Sequence, residues 1–415
     1  MTPSRAPGLP VGEIRSRARD GVQAVFPPCD TYGNVLFGAA GVDGSSGYVD
    51  DIDAARLVPS IFVPQRLEKL IEVGREPMHG DVSLDTTIGG FRAAMPVYVS
   101  ALAPPVDAAD ELGLALCRQA GRLGLPMVIG QTVLPNCHDR LAPGAELPVL
   151  ARIRSYVAEL PAGYGGVVVQ QAAQDADTEM WQLVYRDPAV RPLLDSGRLA
   201  LEFRVGQGAA PGLGSMAVVA DGTVGESAYR HLVAPAHRPE QAVWAGNPGT
   251  VTGEMLRELI RLMRDRFPLA RAWIKLPPGR DVLEAALTAW HGGADAVTVD
   301  GGEAGTAWAP YRFLDHVGLS LGDCLRRIGR QSACLLVSGR MWEGTRAVKS
   351  IALGATAIGL GRAAVLAVEE DPAEGLVRLV QCLELEMRLL ISAMGKYSPR
   401  TLDVTDVQWP HCAGC

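Results

Sequence analysis

What the chain lacks narrows the field before anything it contains. No uninterrupted apolar run approaches the length of a membrane span, and the opening MTPSRAPGLPVGEIRSRARD carries basic residues without an apolar core. Neither a transmembrane segment nor a secretory signal is therefore expected, and the chain reads as soluble and cytoplasmic. Basic residues are outnumbered, 39 Lys and Arg against 46 Asp and Glu, for a formal net charge of -7. That balance argues against a nucleic-acid binder, which usually shows a basic patch or stripe. Cysteine is thin: 8 in 415 residues, too sparse for a secreted disulfide scaffold. Cys117, Cys334 and Cys382 sit in apolar stretches and read as buried small hydrophobes. His411-Cys412-Ala413-Gly414-Cys415 could make a zinc site only by meeting Cys137-His138 across the whole chain. No metal is expected, and Cys412 and Cys415 read as a frayed, reduced tail.

What is present is a long, apolar, rhythmic chain. A hydrophobic content of 48% with 20% charged residues supports a sizeable core. Residues 1–95 lack strand–helix rhythm and read as a cap or collar. Within them the glycines and serines of 38–47 mark a loop, 48–53 an acidic turn, and Thr86 to Phe91 a hairpin tipped by Gly89-Gly90. From Pro96 the rhythm becomes regular. Strands are expected at 97–101, 126–130, 166–170, 201–206, 272–276, 296–299, 335–337 and 357–358, with helices between them and a long last helix over 373–394. The stretch 178–194 reads as helical, and Asp281 with Glu284 as a capping box. Eight such units over residues 96–405, followed by a tail at 406–415, predict a (β/α)8 TIM barrel whose chemistry sits at the C-terminal ends of the strands. A doubly wound sheet competes less well, because Ser100-Ala101-Leu102-Ala103-Pro104 carries no glycine fingerprint after the first strand.

The stretch 334–365 organises the site. Two apolar strands flank one helix and each runs into a glycine turn, Ser338-Gly339-Arg340 and Gly359-Leu360-Gly361-Arg362. In a βαβ unit both turns open on one edge, where backbone N–H groups and the Arg362 fork suit a phosphate. The other strand ends bring Ser100 and Ala101, Gln131, Gln170 and Gln171, Arg204 with Gln207, Lys275, and Asp300-Gly301-Gly302-Glu303 to the same mouth. The amides suit a heterocycle that both donates and accepts. Lys275 lies inside an apolar strand and needs a partner there, either an electron-rich ring or a neighbouring acid.

The motif Leu201-Glu202-Phe203-Arg204-Val205-Gly206-Gln207-Gly208-Ala209-Ala210-Pro211-Gly212 resembles the signature Leu-Glu-Ile-Lys-Ile-Ala-Gln-Gly-Ala-Lys-Pro-Gly of the FMN-binding domain of glutamate synthases. DGGEAGTAWAP at 300–310 resembles that family's glycine-rich sixth-strand loop, and the turns at 338 and 359 resemble its phosphate site. The likeness runs from about residue 50 to 405 and is strongest to compact relatives such as the large subunit of N-methylglutamate synthase. It implies FMN, with Lys275 near the N1/O2 edge of the ring and Ser100, Ala101, Gln131, Gln171, Asp300, Gly301, Ser338, Gly339, Arg340, Gly359, Gly361 and Arg362 holding the cofactor. It also implies hydride exchange with the CH–N or CH–O carbon of a small amino- or oxo-acid, bound by Arg204, Gln207 and Glu303. His237, or less favourably His231, in the lid expected at about 209–249, is the candidate proton carrier.

Departures from the family matter equally. Arg204 and Ala210 replace two lysines, residues 366–375 hold no cluster cysteines, and position 2 is threonine, so neither an iron–sulfur cluster nor a glutaminase is expected. The histidine–arginine pair of 2-hydroxy-acid oxidases and a nicotinamide fingerprint are missing too. The expected partners are a small-molecule substrate, an electron- or ammonia-supplying protein, and further copies of the chain, with no nucleic acid or membrane. The rival readings are a flavin-bearing subunit of a multi-protein synthase and a flavin-free scaffold barrel.

Overall fold

A computed structural model describes residues 8–25, 50–62, 74–101, 109–130, 147–172, 179–206, 208, 216–220, 229–233, 241–246, 251–304 and 316–409. Eight short apolar strands form a closed parallel barrel: β1 Val97–Val99, β2 Met127–Ile129, β3 Val167–Ala172, β4 Leu199–Arg204, β5 Arg271–Leu276, β6 Ala296–Asp300, β7 Leu335–Ser338 and β8 Ala357–Leu360. Both faces of these strands are covered, which is why they read as continuous Val, Ile, Leu and Ala rather than as alternation. The outer ring is α1 Ala109–Arg122, α2 Pro148–Ala158, α3 Glu179–Arg186, α4 Gly253–Arg266, α5 Val282–His291, α6 Leu321–Ile328, α7 Gly344–Ala352 and α8 Arg362–Glu370. The predicted TIM barrel is present.

Local departures from the expected elements have physical causes. The stretch after β3 is two helices, α3 and a short Arg191–Asp195 piece, since Pro188 and Pro192 interrupt the first and open the second. Asp281 does precede α5, but its side chain caps nothing, so the capping box is not formed. Thr252 does cap α4, accepting from the Met255 N–H. The 209–249 insertion contains a three-stranded antiparallel sheet, Met216–Ala220, Gln241–Gly246 and Tyr229–Val233, with the second strand central.

The barrel floor explains the hairpin. Each barrel strand sends one residue inward at its N-terminal end: Tyr98, Val128, Val168, Ala200, Trp273, Ala296, Leu336 and Ala357 form one buried cluster with Ile88, Phe91 and Ala93. Thr86–Ile88 pairs antiparallel with Phe91–Ala93, and the hairpin inserts its apolar face beneath the barrel. Trp273 Nε1 donates to the Gly89 carbonyl at 3.1 Å. A Cβ on Gly89 would lie 2.3 Å from the Trp273 ring, and Gly89 has φ +56°, so both space and conformation demand glycine there. Elsewhere the N-terminal helix Val11–Asp20 packs on α8 and on the last helix, Gly375–Ala393. Arg17 pairs with Glu386 at 2.5 Å, and Arg15 with Glu369 and Glu370 at 3.1 and 2.9 Å. Among the described residues no helix is long and apolar enough to cross a membrane.

Candidate active site at the barrel mouth

Two residues above the apolar floor the barrel changes character. Strand alternation places Ser100, Gly130, Gln170, Glu202, Lys275, Thr298, Ser338 and Gly359 on the same inward face, a tier made only of polar residues and glycine. Lys275 Nζ lies 2.8 Å from Asp300 Oδ2, with both side chains nearly fully buried. Asp300 also accepts a short hydrogen bond from the Ser338 hydroxyl. On the opposite wall Gln170 Nε2 donates a short bond to Glu202, and the Thr298 hydroxyl donates to Glu202 Oε1 at 3.0 Å. Burial pushes the Glu202 carboxyl up, while the Lys275 ammonium and the two donors pull it down by less. Tyr98 lies below this tier; burial, with Asp300 and Glu202 nearby, pushes its phenol well up.

The phosphate end is built differently. β8 runs through Gly361 straight into α8, and Gly361 has no side chain with which to cap the helix. The first turn of α8 holds no acid, and its first residue is the exposed Arg362. A cation at the positive pole of a helix dipole is unfavourable unless an anion joins it. The uncapped N–H groups and the arginine therefore form a donor set suited to phosphate. Ser338 and Gly339 end the neighbouring strand, where Ser338 pairs in register with Gly359. This donor set, with a polar tier carrying Lys275 beside it, fits a flavin mononucleotide.

Several expected site residues are placed elsewhere. Gln171 follows Gln170 and so falls on the other face of β3; Gln170 is the one that enters the interior. Gly359 leaves room for Tyr98, whose ring a Cβ would meet at 2.6 Å, so its lack of a side chain serves packing. Arg340 adopts φ +53°, which turns it out of the mouth to donate to the Gly8 carbonyl at 2.7 Å and to pair with Asp53 at 2.5 Å. Glu303 is likewise a brace and not a substrate ligand. It folds under Gly301, accepts from the Leu321 N–H at 3.2 Å and pairs with Arg346 at 2.7 Å.

Arg346 is the hub of this outer network. Its guanidinium is 1% exposed and donates to Asp50 at 2.7 Å, Asp53 at 2.8 Å and the Gly339 carbonyl at 2.9 Å. The acidic turn of the N-terminal segment thus grips the back of the Ser338-Gly339 turn. Arg346 and the Asp53 amide that donates to Asp50 hold the Asp50 carboxyl down, to about 2, against its burial. Burial pushes Glu303 up to about 7.

Ser100 is buried and donates its N–H to the Leu360 carbonyl at 2.9 Å, and Ala101 follows it at the mouth. Arg204 ends β4 beside Lys275 in register. Gly301 donates its N–H to the Ser338 carbonyl at 3.0 Å. Gln131, Gln207 and His237 lie outside the described residues, as do Cys137, His138, Cys412 and Cys415. His231 is a strand residue paired with Trp244. Among the described residues no group of three or more His, Cys, Asp or Glu side chains could hold a metal ion. The sequence reading missed Glu202, Thr298 and Tyr98. The signal was available: each stands on the inward register that Trp273 and Lys275 define.

Comparison with known proteins agrees with the geometry. The family described as the conserved region in glutamate synthase matches residues 151–371, more than half of the chain. An archaeal-type glutamate synthase [NADPH] from Dehalococcoides mccartyi is 30% identical over 191 residues, 42% of this chain and 36% of that protein. A glutamate synthase large subunit-like protein from Rhizobium meliloti is 31% identical over 195 residues, 42% of this chain and 40% of that protein. The match spans well under half the length of either relative. An oxidized active mutant of (S)-mandelate dehydrogenase superposes with a TM-score of 0.55 at 17% identity, covering 96% of this chain and 99% of that one. A mandelate oxidase mutant with an FMN adduct gives 0.53 at 20% identity, covering 87% and 90%. At such identities these two structures bear on the fold alone.

Proposed function

This chain belongs to the glutamate synthase family, and on that premise we propose that it is an FMN-dependent oxidoreductase acting on the CH–N or CH–O carbon of a small amino- or oxo-acid. The observation that carries the proposal is the pairing of an uncapped, arginine-headed helix after β8 with a lysine buried one tier inside the same mouth. When bound, FMN supplies a centre that accepts and returns a hydride, which no side chain can do. The chain's own residues bind and orient. Arg362 and the first N–H groups of α8 hold the phosphate, with Ser338 beside them. Lys275 Nζ, directed by Asp300, offers positive charge to the pyrimidine edge of the ring. Arg204 is the carboxylate-binding group of the substrate, with Gln207, and His237 carries the proton on an imidazole nitrogen.

The test is an absorbance spectrum of the purified chain, followed by anaerobic addition of amino and oxo acids. The expected result is a flavin spectrum that one class of these acids bleaches. A colourless chain that takes up no added FMN contradicts the proposal. A second reading rests on the partial coverage of the relatives: the chain works as one subunit, and partner proteins supply electrons or ammonia. Turnover by the isolated chain with an artificial electron acceptor argues for the first reading, and flavin uptake without turnover for the second.

A further inference from the structure

The polar tier of the barrel holds two carboxyl groups but one cation. Lys275 is committed to Asp300 at 2.8 Å, and Asp300 has a further donor in Ser338. Glu202 sits 1% exposed in the same tier, with only neutral donors, the Gln170 amide and the Thr298 hydroxyl, bonded to its oxygens. Every other group facing it is accounted for: Lys275 from β5, Asp300 from β6, and Tyr98 from β1. An ionised carboxylate without a bonded cation is costly in such an interior. A second negative charge there also weakens what Lys275 can offer to the mouth. The hydroxyl of Thr298 can accept as well as donate, so the site accommodates a protonated Glu202 without an orphaned hydrogen.

We propose that Glu202 is a charge-setting positioning residue of this site, protonated in the working protein, so that its ionisation state governs how much positive charge Lys275 presents to bound FMN. The inference rests on the flavin reading given above, but part of its test does not. Burial pushes Glu202 up, so the folded chain binds this proton more tightly than the unfolded chain, and stability attributable to it falls as pH rises.

The experiment compares wild type with Glu202→Gln, an isostere that cannot ionise, from about pH 5 to about pH 9. Two quantities are read: the Tm of the FMN-free chain, and the midpoint potential of the FMN-loaded one. In both, the variants are expected to coincide at the acid end. With rising pH, Glu202→Gln should become progressively the more stable, and its flavin progressively the easier to reduce. Thr298→Val removes a donor to the carboxylate and should move the onset of both differences to higher pH. Differences that stay flat across the range, with normal FMN uptake, overturn the role given to Glu202 and leave the flavin assignment standing. A wild-type chain that takes up no FMN overturns both.

Discussion

At the scale of single residues, the buried acids divide by what faces them. Asp50 faces Arg346 and stays ionised, whereas Glu343 is pushed up to about 7 by burial and by the Glu386 and Asp53 carboxylates, against the weaker pull of Arg17 and Lys349. A carboxyl with a raised folded pKa holds its proton more tightly folded than unfolded. Its contribution to stability is therefore greatest below the unfolded value of 4.5 and is lost as pH climbs toward about 7. Glu343→Gln removes that loss. Chemical denaturation should show the variant matching wild type near pH 5 and exceeding it near pH 8 by on the order of 1 to 3 kcal/mol. Equal differences at both pH values would mean that Glu343 is solvated. Legibility at this scale was uneven. Lys275, Asp300 and Ser338 were readable because each ends or interrupts an apolar strand. Glu303 and Arg340 were misread because sequence places them at a strand end without giving the direction of the side chain. A left-handed Arg340 and a glycine beneath the Glu303 carboxylate decide that direction.

At the scale of elements, the N-terminal segment is a brace for the phosphate turn. Arg346 joins the acidic turn, Glu303 and the Gly339 carbonyl in one buried network. Arg346→Met leaves three acids facing an uncharged side chain and should cost about 3 to 5 kcal/mol in a urea titration, since breaking a buried pair strands its partners. A cost below about 1 kcal/mol would show that the acids find water instead. The hairpin makes a second element-scale case. Gly89→Ala drives a methyl into the Trp273 ring from a left-handed backbone, and Tm should fall by several degrees, for about 2 kcal/mol or more. An unchanged Tm would show that the hairpin does not close the barrel floor. The hairpin itself was legible from its glycine pair and flanking β-branched and aromatic residues. Its destination was not, because nothing local says that Ile88 and Phe91 face Trp273, some 180 positions away. The acidic turn was likewise visible, but its purpose lay almost 300 residues downstream at Arg346.

At the scale of the whole molecule, the barrel was legible because its period survives in a single sequence: buried parallel strands are continuous apolar runs, and helices carry a stripe. The interior tiers follow from that register once one inward residue is known, which makes a polar tier above an apolar floor the structural expression of a ligand site. The central claim is that the turns after β7 and β8 hold the phosphate of FMN. The most direct measurement is the dissociation constant of FMN for wild type and for Ser338→Ala/Arg362→Ala, read by quenching of flavin fluorescence with folding checked by circular dichroism. Each lost charge-assisted contact is worth about 1.5 to 3 kcal/mol, so the folded double variant should bind FMN at least about tenfold more weakly and purify without colour. Equal affinity in the two proteins would contradict the account.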